Sequence, residues 1–219
     1  MENKDVMTVG LCGRSGSGKG TVCALFAVCG IPSVDTDAVY RSLTAASPAP
    51  SPCMRELAER FGPSVLSPDN SLDRAAMRAL VFGIENAANL RDLNAISHRH
   101  ILERTREIVE EYAEEGFGIV LIDAPVLYES GFDRFCEAVV CVTAPEDALL
   151  SRIMARDGIG REAAQKRLAA QIPSEELEAR ADFVIRNDGG LEELACQVRD
   201  TAEALYRLRD ETRKQEESE

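Results

Sequence analysis

The stretch Gly13 to Thr21, "GRSGSGKGT", decides how the rest of the chain is read. It follows the apolar run "VMTVGLC" (6–12) and leads into "TVCALFAVC" (21–29), so a buried strand, a glycine-rich turn and a helix come in succession. In that setting backbone N–H groups can close around phosphate oxygens, with the positive end of the helix dipole behind them. Gly13, Gly16 and Gly18 remove Cβ atoms from the turn, and Lys19 supplies a cation for the β- and γ-phosphates. The usual pattern G-x-x-x-x-G-K-[ST] puts a hydroxyl directly after the lysine. Here Gly20 stands there and Thr21 comes one place late. The nucleotide loop is therefore expected from Gly13, Ser15, Gly16, Ser17, Gly18, Lys19, Gly20 and Thr21, with Mg²⁺ held mostly by water, ATP and carboxylates.

Working outward, further short apolar runs recur, each followed by a helical stretch: "IPSVD" (31–35), "GIVLID" (118–123), "AVVCVT" (138–143) and "DFVIRN" (182–187). Nearly continuous apolar character marks strands buried on both faces, as in a parallel sheet covered by helices. The fold class is α/β, a doubly wound sheet of five strands. Residues 38–117 carry no convincing strand and show helical periodicity; in "ILERTREIVEEYAEE" Ile101, Ile108, Val109 and Tyr112 share one face. A helical lobe inserted between the second and third strands is expected there. A second insertion, 148–173, reads as two short helices joined through Asp157 and Gly158, with mainly basic charges.

Carboxylates fall where a phosphoryl-transfer site needs them. Asp123 ends the run "GIVLID" and is expected to face Mg²⁺ beside the loop, with Thr21 as the other protein donor. Asp35 and Asp37 close the second strand in "SVDTDAVYR". A carboxylate at the carboxyl edge of the sheet can accept the proton of an attacking hydroxyl. Spacing does not choose between the two, and an aspartate capping a helix leaves the same mark. Arg152 and Arg156 lie four apart on one helix face, followed by Arg161, Lys166 and Arg167, as in a basic lid that stabilises phosphoryl oxygens and excludes water. His98 and His100, two apart on a helix, diverge by about 200° and make a poor metal pair.

The net charge of −13 argues against a nucleic-acid partner, since a protein that grips a polyanion presents a basic face. The seven cysteines show no C-x-x-C spacing and are expected as reduced thiols. Met1–Asp5 is polar and the apolar run after it is far shorter than a signal core or a span, so a cytoplasmic protein without a membrane partner is expected.

With these residues in place, the chain resembles the dephospho-CoA kinases, which use ATP to phosphorylate the ribose 3′-hydroxyl of dephospho-CoA. The resemblance runs from about Val9 to Leu194. It rests on the phosphate loop, "VDTDAVYR", "SLDRAAMRALVF", "ISHRHI", "DAPVLYESGFD" and the run "SRIMARDGIGREAAQKRLAAQIPSEELEARADFVIRNDGGLEEL" in the family's order and spacing. It implies a three-layer P-loop kinase fold with core 6–37, 118–147 and 174–214, a CoA-binding helical lobe at about 38–117 and a lid at about 148–173. It further implies a monomer acting on small molecules, with ATP and Mg²⁺.

By the same resemblance Asp37 is the general base, with Lys19, Asp123 and Arg152 as the other catalytic groups. Arg156 joins the loop on ATP, while Asp35, Arg41 and His98 line the acceptor side. Gly20 stands in place of the family's serine, Tyr40 in place of a small residue, and Arg99 in place of the proline after His98. A nucleoside monophosphate kinase, suggested by G-K-G-T, is the alternative within the class. A nucleotide-binding switch is the alternative outside it, although a guanine-reading N-K-x-D is absent.

Overall fold

A computed structural model describes residues 6–83 and 86–216. The elements in chain order are β1 (Met7–Cys12), α1 (Lys19–Val28), β2 (Ser33–Asp35), α2 (Thr36–Leu43), α3 (Pro52–Phe61), α4 (Arg74–Val81), α5 (Ala87–Glu114), β3 (Ile119–Asp123), β4 (Ala138–Thr143), α6 (Glu146–Asp157), α7 (Arg161–Ala169), α8 (Ser174–Arg180), β5 (Phe183–Arg186) and α9 (Leu191–Glu216). They fall into two compact units, Asp35–Ile108 and the remainder.

The first unit is built on a five-stranded parallel sheet of order β2-β3-β1-β4-β5. Every residue of β1 and β4 is buried, as are the first four of β3. That is why these strands read as unbroken apolar runs rather than alternating ones. Pairing places Leu11 level with Asp123 and Cys12 level with Cys141, so β1 and β3 end within a residue of each other and β4 runs two residues further. The order puts β1 at the point where the chain, having built one side of the sheet, crosses to build the other. Ligands of such sheets collect in the crevice at that point.

The core joins this sheet to α1 and α9. Val22 and Phe26 of α1 meet Leu194, Val198, Ala202 and Leu205, a stripe that recurs every three or four residues along α9. Phe26 and Leu205 are fully buried. Truncating Phe26 to alanine would cost about 3–5 kcal/mol, the usual range for a large core aromatic, and would loosen the helix that carries Lys19. The segment expected as a lid belongs to this unit and holds a small core of its own, with Leu149, Leu150 and Ile153 of α6 against Ala164 and Leu168 of α7. Gly158 ends α6 at φ 63°, and its N–H donates to the Met154 carbonyl at 3.0 Å.

The second unit gathers α2, α3, α4 and most of α5 around Cys53, Met54, Leu57, Val65, Met77, Val81 and Ile96. Its helices start on side-chain caps. Ser51 accepts from the Met54 N–H at 3.1 Å ahead of Pro52, and Asp73 accepts from the Ala75 and Ala76 N–H groups, both at 2.9 Å. The sequence placed the inserted lobe at about 38–117, whereas the compact unit ends at Ile108. The last turns of α5 belong to the sheet unit, where Val109 is buried and the rings of Tyr112 and Phe117 meet edge to face at 5.6 Å. Among the described residues no helix is long and apolar enough to cross a membrane.

Candidate active site

Local conformation explains the glycines of the loop between β1 and α1. Gly16 and Gly18 sit at φ 82° and 98°, backbone that an L side chain rarely adopts. A Cβ on Gly16 would lie 2.8 Å from the Leu149 carbonyl oxygen, and one on Gly18 would run into the Asn187 amide. Gly18 also serves as the N-cap of α1. With left-handed residues alternating along the turn, its amides form a concave nest that suits phosphate oxygens.

Gly20 is different, since a Cβ there would meet nothing within 4 Å. The position is open to a larger residue, and the missing hydroxyl is not a steric requirement. Lys19 folds back so that its ammonium donates to the Gly13 carbonyl at 3.1 Å. Thr21, in the first turn of α1, is exposed.

Asp123 lies where the sequence put it, at the end of β3 and level with Leu11. Its Oδ2 accepts from the Cys23 thiol at 3.8 Å. Burial, reinforced by this carboxylate, pushes the Cys23 thiol up to about 12, so the sulfur stays a neutral donor and never competes as an anion. The structure therefore brings Asp123, Lys19, Thr21 and the loop to one end of the sheet.

The two arginines of α6 share a helix face but not a task. Arg156 donates to the Ser15 hydroxyl at 3.2 Å and pairs with Asp157, whose carboxyl the guanidinium pulls down to about 2. Arg152 was expected among the catalytic groups. It is turned onto backbone carbonyls, donating to Gly16 at 3.2 Å and Asn187 at 3.1 Å and reaching Ser17 at a long 3.5 Å. Carbonyl oxygens line the side of the loop opposite the N–H groups that suit an anion, so in this arrangement the guanidinium braces the loop.

Three contacts were not legible in the sequence. The Asn187 amide donates to the Ser17 carbonyl at 2.8 Å, the Ser15 N–H donates to the Gln171 side chain at 3.0 Å, and Arg14 donates to the Leu168 carbonyl at 2.7 Å. A signal for the first was present. Asn187 follows β5, and the carboxyl edge of a parallel sheet is where loop residues meet.

In the second unit, Asp35 and Asp37 are not neighbours on a strand. Asp35 is the N-cap of α2, accepting from the Ala38 N–H at 3.0 Å and pairing with Arg41 at 3.2 Å. Asp37 stands exposed in the first helical turn, and among the described residues its carboxylate has no hydrogen-bond partner.

His98 of α5 is half-buried, and desolvation moves its pKa below the ordinary imidazole value, which favours the neutral ring. Its neighbour His100 is engaged with Glu56 at 2.9 Å and Glu103 at 3.4 Å. Arg99 also pairs with Glu56.

Residues 7–193 match the dephospho-CoA kinase family. A dephospho-CoA kinase of Anaeromyxobacter dehalogenans is 43% identical over 187 residues, covering 85% of this chain and 86% of that one. Among solved structures, TT1252 from Thermus thermophilus superposes with a TM-score of 0.73 at 31% identity, covering 91% of this chain and 98% of that one. The dephospho-CoA kinase from Campylobacter jejuni superposes with a TM-score of 0.65 over 90% of this chain and 96% of that one, and at 23% identity this is a likeness of fold. Helices flanking a parallel sheet, a phosphate nest at the end of its central strand and a family match over most of the length agree: the chain belongs to the dephospho-CoA kinase family.

Proposed function

We infer that this chain transfers the γ-phosphoryl group of ATP to the ribose 3′-hydroxyl of dephospho-CoA, giving coenzyme A and ADP, the last step of coenzyme A synthesis. The observation that carries this reading is the family match over residues 7–193 together with the phosphate nest it contains. In the reaction, the 3′-oxygen attacks the γ-phosphorus, the bond from that phosphorus to the bridging oxygen of the β-phosphate breaks, and the hydroxyl proton passes to a base.

Asp37 is that base, since its carboxylate is exposed and uncommitted while Asp35 is occupied by its cap and by Arg41. Asp35 and Arg41 shape the acceptor side, and His98 offers a neutral ring there. The loop amides and Lys19 hold the β- and γ-phosphates, releasing Lys19 from the Gly13 carbonyl. Arg156, already at the Ser15 hydroxyl, extends the positive rim. In-line phosphoryl transfer leaves little covalent work for a protein, so orientation and charge account for most of the rate.

The donors present fit Mg²⁺ held chiefly through ATP. Thr21 and Asp123 are the protein groups near the loop, Gly20 adds none, and among the described residues no three His, Cys, Asp or Glu side chains gather as a metal cage. Asp123 and Thr21 would hold such an ion beside the loop, and it would supply charge neutralisation at the transferred group. The chain works as a cytoplasmic monomer on these small molecules.

The test is ADP release from Mg·ATP with dephospho-CoA, AMP, CMP or no acceptor in parallel, with the products weighed by mass spectrometry. Release only with dephospho-CoA, and a product heavier by one phosphoryl group, is expected. Release only with a nucleoside monophosphate would replace the acceptor, and ADP formation indifferent to acceptor would replace the reaction class.

A further inference from the structure

We propose that Arg152 and Asn187 are positioning residues that act together to aim the phosphate loop, and that neither needs to touch the nucleotide to do so. The proposal rests on the reading of Gly13–Thr21 as the site of the ATP phosphates.

Both side chains reach the loop from behind. The Asn187 amide donates to the Ser17 carbonyl at 2.8 Å. Arg152 donates through one guanidinium nitrogen to the Gly16 carbonyl at 3.2 Å, with Ser17 at 3.5 Å, and through the other to the carbonyl of Asn187 itself at 3.1 Å. Arginine, loop and asparagine thus form a closed ring of hydrogen bonds, with the guanidinium half-buried within it.

Peptide planarity turns this ring into a device. In a trans peptide the C=O and the following N–H point in opposite directions. Holding the Ser17 carbonyl outward fixes the Gly18 N–H inward. Holding the Gly16 carbonyl fixes the peptide it shares with Ser17, whose N–H is spent within the turn on the Arg14 carbonyl at 3.0 Å, so this peptide shapes the turn while the Gly18 N–H faces the ligand. Two consecutive peptides, flanked by left-handed Gly16 and Gly18, are thereby fixed in direction before a ligand arrives. Pre-aimed dipoles bind an anion without reorganising as it enters. The side-chain requirement at Gly18 has the same origin, because a Cβ there would occupy the place of the Asn187 amide.

This role separates cleanly from a contact with the base of the nucleotide. A residue that aims amides at phosphate matters equally to ATP and to inorganic tripolyphosphate, which has no base. A residue that stacks on or bonds to the base matters to ATP alone.

The experiment measures binding of Mg·ATP and of tripolyphosphate by calorimetry for the whole chain and for Arg152→Ala, Asn187→Ala and Asn187→Asp. The last keeps the size of the side chain, removes its donor and adds a negative charge, so its loss should exceed that of Asn187→Ala. Each variant is expected to lose about tenfold or more for both ligands. The double variant Arg152→Ala/Asn187→Ala is expected to lose less than the two single losses combined, because the two side chains share one ring. In turnover the KM for ATP rises while dephospho-CoA binding is unchanged.

Losses confined to ATP would overturn the proposal in favour of a base contact, and undiminished binding of both ligands would overturn it outright. If Arg152→Ala does not fold, Asn187→Ala, which removes the donor without changing any charge, decides alone. A parent chain that binds neither ligand would remove the phosphate-site reading instead, an outcome visible before any variant is made.

Discussion

At the phosphate loop, the groups offered to a ligand are backbone amides whose directions are set by residues far along the chain. At the start of α2 they are carboxylates on side chains, set by the helix itself. The loop takes its shape from Arg152, Asn187, Gln171 and Arg156, all more than 130 residues later. The turn at the start of α2 takes its shape from Asp35, which caps the helix two residues before Asp37 and pairs with Arg41 six residues on. The first kind of site is rigid because many distant contacts agree, and the second is cheap to build and easy to alter.

Breaking the loop side at its charge has the largest expected effect. Lys19→Ala removes the ammonium that leaves the Gly13 carbonyl for the phosphates, and turnover with saturating dephospho-CoA should fall by about 10³-fold or more. An enzyme within tenfold of the parent would show that the amides suffice alone.

Next comes the acceptor side. Asp37→Asn should lower kcat by roughly 10²-fold or more and leave the KM for ATP nearly unchanged. Asp35→Ala, its neighbour on the same turn, should instead cost about 1 kcal/mol of stability through the lost cap, lowering the thermal midpoint by about 2–4 °C. Equal losses of kcat in the two variants, with equal stability, would erase the distinction between base and cap.

The smallest effect belongs to Gly20→Ser. Open space around that position accommodates the side chain, and serine is the better helix former by a few tenths of a kcal/mol in the first turn of α1. The thermal midpoint should hold or rise slightly, and titration of activity against Mg²⁺ should reach half-maximum at the same or a lower concentration. A higher requirement would mean that the bare backbone at Gly20 matters to the ion.

How much of this the sequence disclosed depends on the range of the forces involved. Strands buried on both faces leave an unbroken apolar run, so β1, β3 and β4 could be read directly, and the loop between β1 and α1 could be read because its glycines answer to local backbone geometry. Arg152 and Arg156 could be placed on one helix face, yet periodicity does not say what lies across from that face. One of them met carbonyl oxygens and the other a serine hydroxyl. For Asp35 and Asp37, period-two spacing assumed a strand, but the capping bond from Ala38 turns the chain into a helix at Thr36, and the aspartates part company there. The expected lobe, to about 117, and the compact unit, to Ile108, end at different places for a similar reason. Helical periodicity runs unbroken through α5, while its neighbours change near Val109.

The place of β1 in the sheet also has a consequence in time. Met7 pairs with Ile119 and Val9 with Ala138, and the loop that follows β1 is not aimed until Asn187 is available. At ribosomal speeds of about 5–20 residues per second, the strand that will lie at the centre of the sheet waits on the order of ten seconds or more for its partners. Throughout that interval "MTVGLC" is an apolar, β-prone segment with nothing to pair with, an aggregation hazard for the nascent chain. Pairings so distant in sequence fold slowly, so nucleotide binding should be among the last properties that a newly made chain acquires.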